Sequence, residues 1–164
     1  MSLPSQVRTN QDLEKMVDTT DEWIQSRTGI RERRIAGDDE STLSLALGAS
    51  KQAIATAGLA PEDIEMIIVA TITPDYGFPA VANLLQDALA ARNAAALDIN
   101  SACTGFLAGL ALADGMIVSG HINNVLQKNN SHPNYTSLSA ILTHREMATS
   151  HPCYEYYTQA YGFP

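Results

Sequence analysis

Cysteine is scarce in this chain: among 164 residues there are only Cys103 and Cys153. Two cysteines do not make the disulfide framework of a small secreted domain, and a reducing compartment suits them. Long apolar runs are absent as well. The longest stretches, residues 67–70 and 106–112, fall far short of the roughly 20 residues that cross a bilayer, and the N-terminus lacks the basic-then-apolar order of a secretory signal. The sequence is therefore expected to be cytoplasmic, with no membrane partner. Positive charge is in short supply too: 10 Lys and Arg stand against 18 Asp and Glu, a formal net charge of −8. That balance argues against general nucleic-acid binding, which depends on neutralising phosphates. A composition 45% hydrophobic and 17% charged is ordinary for a globular chain long enough to bury one core.

Hydrophobic spacing organises the first three quarters. Leu43, Leu45, Ala46, Ala49, Ala53, Ile54 and Ala57 recur at helical intervals, with Ser41 or Thr42 placed to cap the start and Gly58 to close the end. Residues 64–72 are too uniformly apolar to alternate and read as a strand buried on both faces. A loop over 71–78 holds Pro74 and Gly77. It leads to a helix expected over 79–91, a second strand over 95–100, and a helix from beyond Cys103 to about Ser119, apolar nearly all round and so expected to be buried. Alternating strands and helices imply an α/β fold: a parallel sheet, right-handed crossover helices, and chemistry collected beyond the carboxyl ends of the strands.

Cys103 falls at that edge, where the second strand gives way to an Ala/Gly/Leu-rich helix. The unpaired N–H groups and positive dipole end of a helix N-terminus favour an anion, which makes Cys103 a candidate nucleophile. Free cysteine also packs as a small buried hydrophobe, and the window by itself accommodates both readings. Arg27, Arg31, Arg33 and Arg34 form a cationic cluster in an otherwise acidic chain; it reads as a solvated turn or as a site for phosphate or an acidic partner.

Beyond Gly120 the character changes. All four histidines and five of six tyrosines lie there, and residues 127–137 are polar where a further buried strand is expected. A short helix is conceivable over 138–148. His144, His151 and Cys153 match no ordinary zinc spacing, so no metal is assigned.

Six separated stretches carry a family resemblance: Leu-Pro-Ser-Gln-Val-Arg-Thr-Asn from Leu3, the segment from Asp12 that ends in Asp-Glu-Trp-Ile, Arg-Thr-Gly-Ile-Arg-Glu-Arg from Arg27, Ile-Ile-Val-Ala-Thr from Ile67, Phe-Pro-Ala from Phe78, and Asp-Ile-Asn-Ser-Ala-Cys-Thr-Gly-Phe from Asp98. From Leu3 to about Leu126 the chain resembles the N-terminal part of a beta-ketoacyl-acyl-carrier-protein synthase III. The resemblance implies a partial thiolase-like fold over 1–126, without its first strand, and a tail over 127–164 with no family likeness, which suggests a truncated or frame-shifted product. It implies a decarboxylative Claisen condensation of a short acyl-CoA with malonyl-acyl-carrier protein, in which Cys103 carries the acyl group. Trp23 and Arg27, with Thr28 beside them, match the family's coenzyme A contacts; a plain surface cation–π pair is the alternative. Phe78 matches a residue near the interface of a homodimer. The arginines near Arg31 are candidates for docking the acidic carrier protein. No permanently bound cofactor is implied, the coenzyme A thioester being a substrate.

In the resembled family, the histidine and asparagine that support decarboxylation come from a later part of a chain about twice this length. None of His121, His132, His144 or His151 sits in that motif. The competing expectation is a non-catalytic chain that binds coenzyme A or a full-length subunit.

Overall fold

The structure is a computed structural model that describes residues 2–129 and the backbone of 130 and 138–143. It opens with β1 (Gln6–Thr9), α1 (Asn10–Glu14), α2 (Asp21–Thr28) and β2 (Glu32–Ile35). β1 and β2 pair antiparallel, Gln6 opposite Ile35, as a small two-stranded sheet. Then follow α3 (Thr42–Ala57), β3 (Met66–Thr71), α4 (Val81–Leu89), β4 (Ala95–Ile99), α5 (Gly105–Val118), β5 (Asn124–Asn130) and β6 (Leu138–Thr143). The larger sheet has the order β4-β3-β5-β6, with β4 and β5 parallel to β3 and β6 antiparallel to β5.

Each central element forms for reasons visible in its residues. Ser41 caps α3 through a reciprocal box with Ser44, and Gly58 closes it in the left-handed conformation; a cap of this kind is worth about 1 kcal/mol. β3 is buried along all six residues. Its odd positions Ile67 and Val69 pack with Ala46, Ile54, Val81, Leu85 and Leu126 on the α3/α4 face. Its even positions Met66 and Ile68 pack with Ala113, Ile117 and Val125 on the α5 face. Ile67, Ile68 and Val69 are fully buried, each contributing roughly 1.5–3 kcal/mol of apolar burial. The sheet is thus the middle of three layers.

Two expectations meet a different outcome. α5 is buried along one stripe, Gly105, Gly109, Ala113 and Ile117, instead of all round, and Leu112 and Val118 are exposed. Only the sheet covers this helix among the described residues, so a single face is buried. The helix considered over 138–148 is a strand at 138–143, because the edge of β5 offers unpaired backbone groups that a neighbouring segment satisfies; residues 144–148 lie outside the described residues. β5 itself pairs in parallel with β3, Gln127 opposite Ile68 and Lys128 opposite Val69.

Candidate functional site

The carboxyl ends of β3 and β4 lie side by side, Ala70 opposite Ile99, so the segments that follow them emerge at one edge of the sheet. After β4, a single 3-10 turn at Ala102–Thr104 carries Cys103 directly into α5, and the thiol is exposed. The turn is closed by Thr104, whose Oγ1 donates to the Ser101 carbonyl at 2.8 Å and lies 3.0 Å from Ser101 Oγ. Ala102 adopts φ 42°, a left-handed conformation that costs a non-glycine residue on the order of 1 kcal/mol. An exposed thiol on such a turn is not the buried packing cysteine that its small neighbours also allowed.

Close approach of α5 to the sheet sets the height of this turn. A Cβ on Gly105 would stand 3.0 Å from the Ala70 side chain, and one on Gly109 would run into the Gln127 amide. Glycine at these two positions lets the helix backbone sit directly on β3 and β5.

Two carboxylates organise the edge. Asp98 of β4 accepts hydrogen bonds from the Val81 and Ala82 N–H groups, both at 2.8 Å, and so caps α4 from a neighbouring strand. Asp75 accepts from the Thr42 and Leu43 N–H groups at 2.9 and 2.7 Å, while Thr42 Oγ1 donates to the Thr73 carbonyl at 2.8 Å. These bonds pin the loop after β3 to the head of α3. That loop presents Phe78, which is 89% exposed, beside exposed Tyr76 and Ile72. Sequence reasoning passed over both aspartates; a lone carboxylate in the apolar run Ala-Ala-Leu-Asp-Ile was the available signal for Asp98.

The second group of expected residues sits on α2. The Arg27 guanidinium carbon lies 4.9 Å from the Trp23 ring centroid, as the i, i+4 spacing anticipates. Trp23 is half-exposed and Arg27 exposed, so ring and cation are both open to a ligand. Thr28 is spent locally: its Oγ1 donates to the Ile24 carbonyl at 2.7 Å and accepts from the Ile30 N–H at 3.1 Å. Gly29 then ends the helix at φ 70°. Of the wider arginine cluster, Arg33 donates to Asn10 Oδ1 at 2.7 Å and Arg34 to the Pro4 carbonyl at 3.4 Å, so both serve the small sheet. The α2 group and the Cys103 turn lie on separate elements, with no hydrogen bond between them among the described residues.

The model of the 3-oxoacyl-[acyl-carrier-protein] synthase III family matches residues 97–128, the stretch from β4 through Cys103 and α5 into β5. A beta-ketoacyl-[acyl-carrier-protein] synthase III of Bacillus pumilus is 55% identical over 124 residues, which are 76% of this chain and 40% of that protein. The chain is homologous to beta-ketoacyl-acyl-carrier-protein synthase III. A synthase III from Caldanaerobacter subterraneus is 56% identical over the same length, 38% of its own. Among solved structures, the synthase III of Aquifex aeolicus superposes with a TM-score of 0.75 at 49% identity, over 78% of this chain and 41% of that one. The priming beta-ketosynthase of the R1128 polyketide pathway gives 0.74 at 35% identity, over 77% and 38%. The fold is accordingly the thiolase-like α/β arrangement that the synthase III resemblance implied. The chain spans about two fifths of the length of the synthase III relatives it matches. No described helix is long and apolar enough to cross a membrane.

Proposed function

We propose that this chain takes a short acyl group from a coenzyme A thioester onto Cys103, the loading half of a synthase III condensation. The observation that carries the reading is the exposed thiol on a strained turn between the end of β4 and the head of α5, inside the stretch that matches the family. Cys103 Sγ attacks the thioester carbonyl carbon and the new C–S bond forms. The tetrahedral oxyanion collapses, the bond to the coenzyme sulfur breaks, and free coenzyme A leaves with the proton that the cysteine gave up. Oriented N–H groups at the head of a helix are the kind of donor that steadies such an oxyanion.

Trp23 offers a face for the adenine and Arg27 a cation for phosphate, with Thr28 closing the helix beside them. The acyl acceptor in the second half-reaction is malonyl-acyl-carrier protein, docked with help from exposed Arg31. Exposed Phe78 suits a homodimer interface. Decarboxylative condensation calls for further groups at the thiol. His121, the histidine among the described residues, follows the far end of the 14-residue α5, about 21 Å of helix away from Cys103.

The stacking of Arg27 on Trp23, 4.9 Å from guanidinium carbon to ring centroid, is complete without any group of the Cys103 turn, which supports a second reading, capture of coenzyme A or of a full-length subunit without acyl transfer. Peptide-mapped mass spectrometry after incubation with acetyl-CoA decides between them. Acetyl on Cys103 and not on Cys153 is expected. Equal labelling of both cysteines, or none, refutes acyl transfer and leaves the binding reading.

A further inference from the structure

Asn10 is fully buried, at the junction of β1 and α1. Its Nδ2 donates to Asp21 Oδ1 at 2.7 Å and to the Ile30 carbonyl at 2.8 Å, while its Oδ1 accepts from Arg33 at 2.7 Å. Its backbone N–H donates to the Arg31 carbonyl at 3.3 Å. Asp21 is the first residue of α2 and Ile30 lies just past its last, so one amide ties both ends of this helix and anchors them through Arg33 to β2.

The helix has little else to hold its axis. Ile24 is its one buried residue, and apolar packing is what usually orients a helix this short. The polar tie is reinforced at the N-terminus, where Gln25 donates to Asp21 at 2.7 Å and the Asp21 N–H donates to Glu14 at 2.6 Å. The hydrogen bond from Asn10, then that from Gln25, holds the Asp21 carboxyl below its ordinary range. Asn10 is itself fully buried with every polar atom of its amide engaged, so replacing it removes three hydrogen bonds at once and loosens the junction of β1, α2 and β2.

We propose that Asn10 is the positioning residue of the nucleotide clamp: by tying both ends of α2 it sets the angle at which Trp23 and Arg27 meet the adenine and phosphates of coenzyme A. This rests on the coenzyme A reading of α2. Asn10 touches no ligand itself; it acts through the helix.

The test follows coenzyme A binding by the emission of Trp23, the sole tryptophan of the sequence. It also follows Cys103 acetylation by acetyl-CoA and by acetyl-pantetheine, which lacks the nucleotide. Asn10→Ala is expected to weaken coenzyme A binding and raise the acetyl-CoA concentration that half-saturates the single-turnover acylation rate about tenfold, the scale of one buried hydrogen-bonded contact, with the saturating acylation rate and the acetyl-pantetheine rate unchanged. Asp21→Ala, at a partly exposed position, breaks the tie at the helix N-terminus alone while Asn10 keeps its bonds to Ile30 and Arg33, and is expected to weaken coenzyme A binding about threefold with the acetyl-pantetheine rate again unchanged. Equal loss with both thioesters, or no loss with either, overturns the proposal and leaves the coenzyme A reading standing. Absence of any Trp23 response to coenzyme A in the unaltered chain overturns both.

Discussion

The Gln127 side chain of β5 fills the space that Gly109 of α5 leaves open: its Nε2 donates to the Phe106 carbonyl at 2.6 Å, where a Cβ on Gly109 would collide with it. Helix and strand are fitted to each other at this point. Alanine gains about 1 kcal/mol over glycine in a helix, but overpacking of a buried contact costs about 1–3 kcal/mol. Gly109→Ala is therefore expected to destabilise by about 1 kcal/mol in urea unfolding. In a Gln127→Ala background the same change is expected to stabilise by a similar amount. Additivity of the two substitutions would show that the residues are not coupled.

Lys128, next along β5, is fully buried and donates to the Asn129 carbonyl at a long 3.4 Å. Burial pushes its ammonium down to about 7 from an ordinary 10.5. Between those values the unfolded chain holds more proton than the folded one, so stability rises with pH across the window. From pH 7 to pH 9 the gain is on the order of 2 kcal/mol. Lys128→Met is expected to be more stable than the unaltered chain at pH 7 and to flatten the profile, since no ion pair is broken. A profile that the substitution leaves unchanged would show that Lys128 reaches water.

Asp98 receives two backbone N–H groups of α4, and hydrogen bonds to a charged acceptor are the stronger kind. Asp98→Ala is expected to cost about 2 kcal/mol in unfolding experiments, and to slow Cys103 acylation because the strand that delivers the thiol loses its lock on α4. A variant with unchanged midpoint and unchanged acylation would remove Asp98 from the description of the edge.

Phe78 is 89% exposed in a loop that Asp75 holds to α3. If Phe78 lies against a second copy, Phe78→Asp buries an unpaired charge in that contact and shifts the chain toward monomer. Sedimentation velocity measures this directly; identical sedimentation of both forms across the concentration range counts against an interface at Phe78.

The elements read most accurately were those whose pattern and punctuation agree. Residues 41–57 combine helical spacing, a serine cap and a closing glycine, and α3 spans Thr42–Ala57. Residues 64–72 read as a strand buried on both faces, and the fully buried β3 is Met66–Thr71; Ile72, counted in the strand, is exposed once the chain turns toward Asp75. The pairing of β1 with β2 was not legible, because its hydrogen bonds join residues about 25 apart with no alternating pattern to announce them. β6 was misread as a helix because composition alone does not reveal the free edge beside it.

Local chemistry in the sequence determined the succession α3, β3, α4, β4, α5, the helix face shared by Trp23 and Arg27, and the position of Cys103 where a strand passes into a helix, since these depend on residues within a few turns of one another. Tertiary structure alone decided that the thiol is exposed, that α5 buries only its Gly105, Gly109, Ala113, Ile117 stripe, and that Asp75, Asp98 and Asn10 hold loops and helix ends in place. Each of those outcomes depends on partners distant in the chain, and the burial and hydrogen bonding they create exist only once the sheet has brought them together.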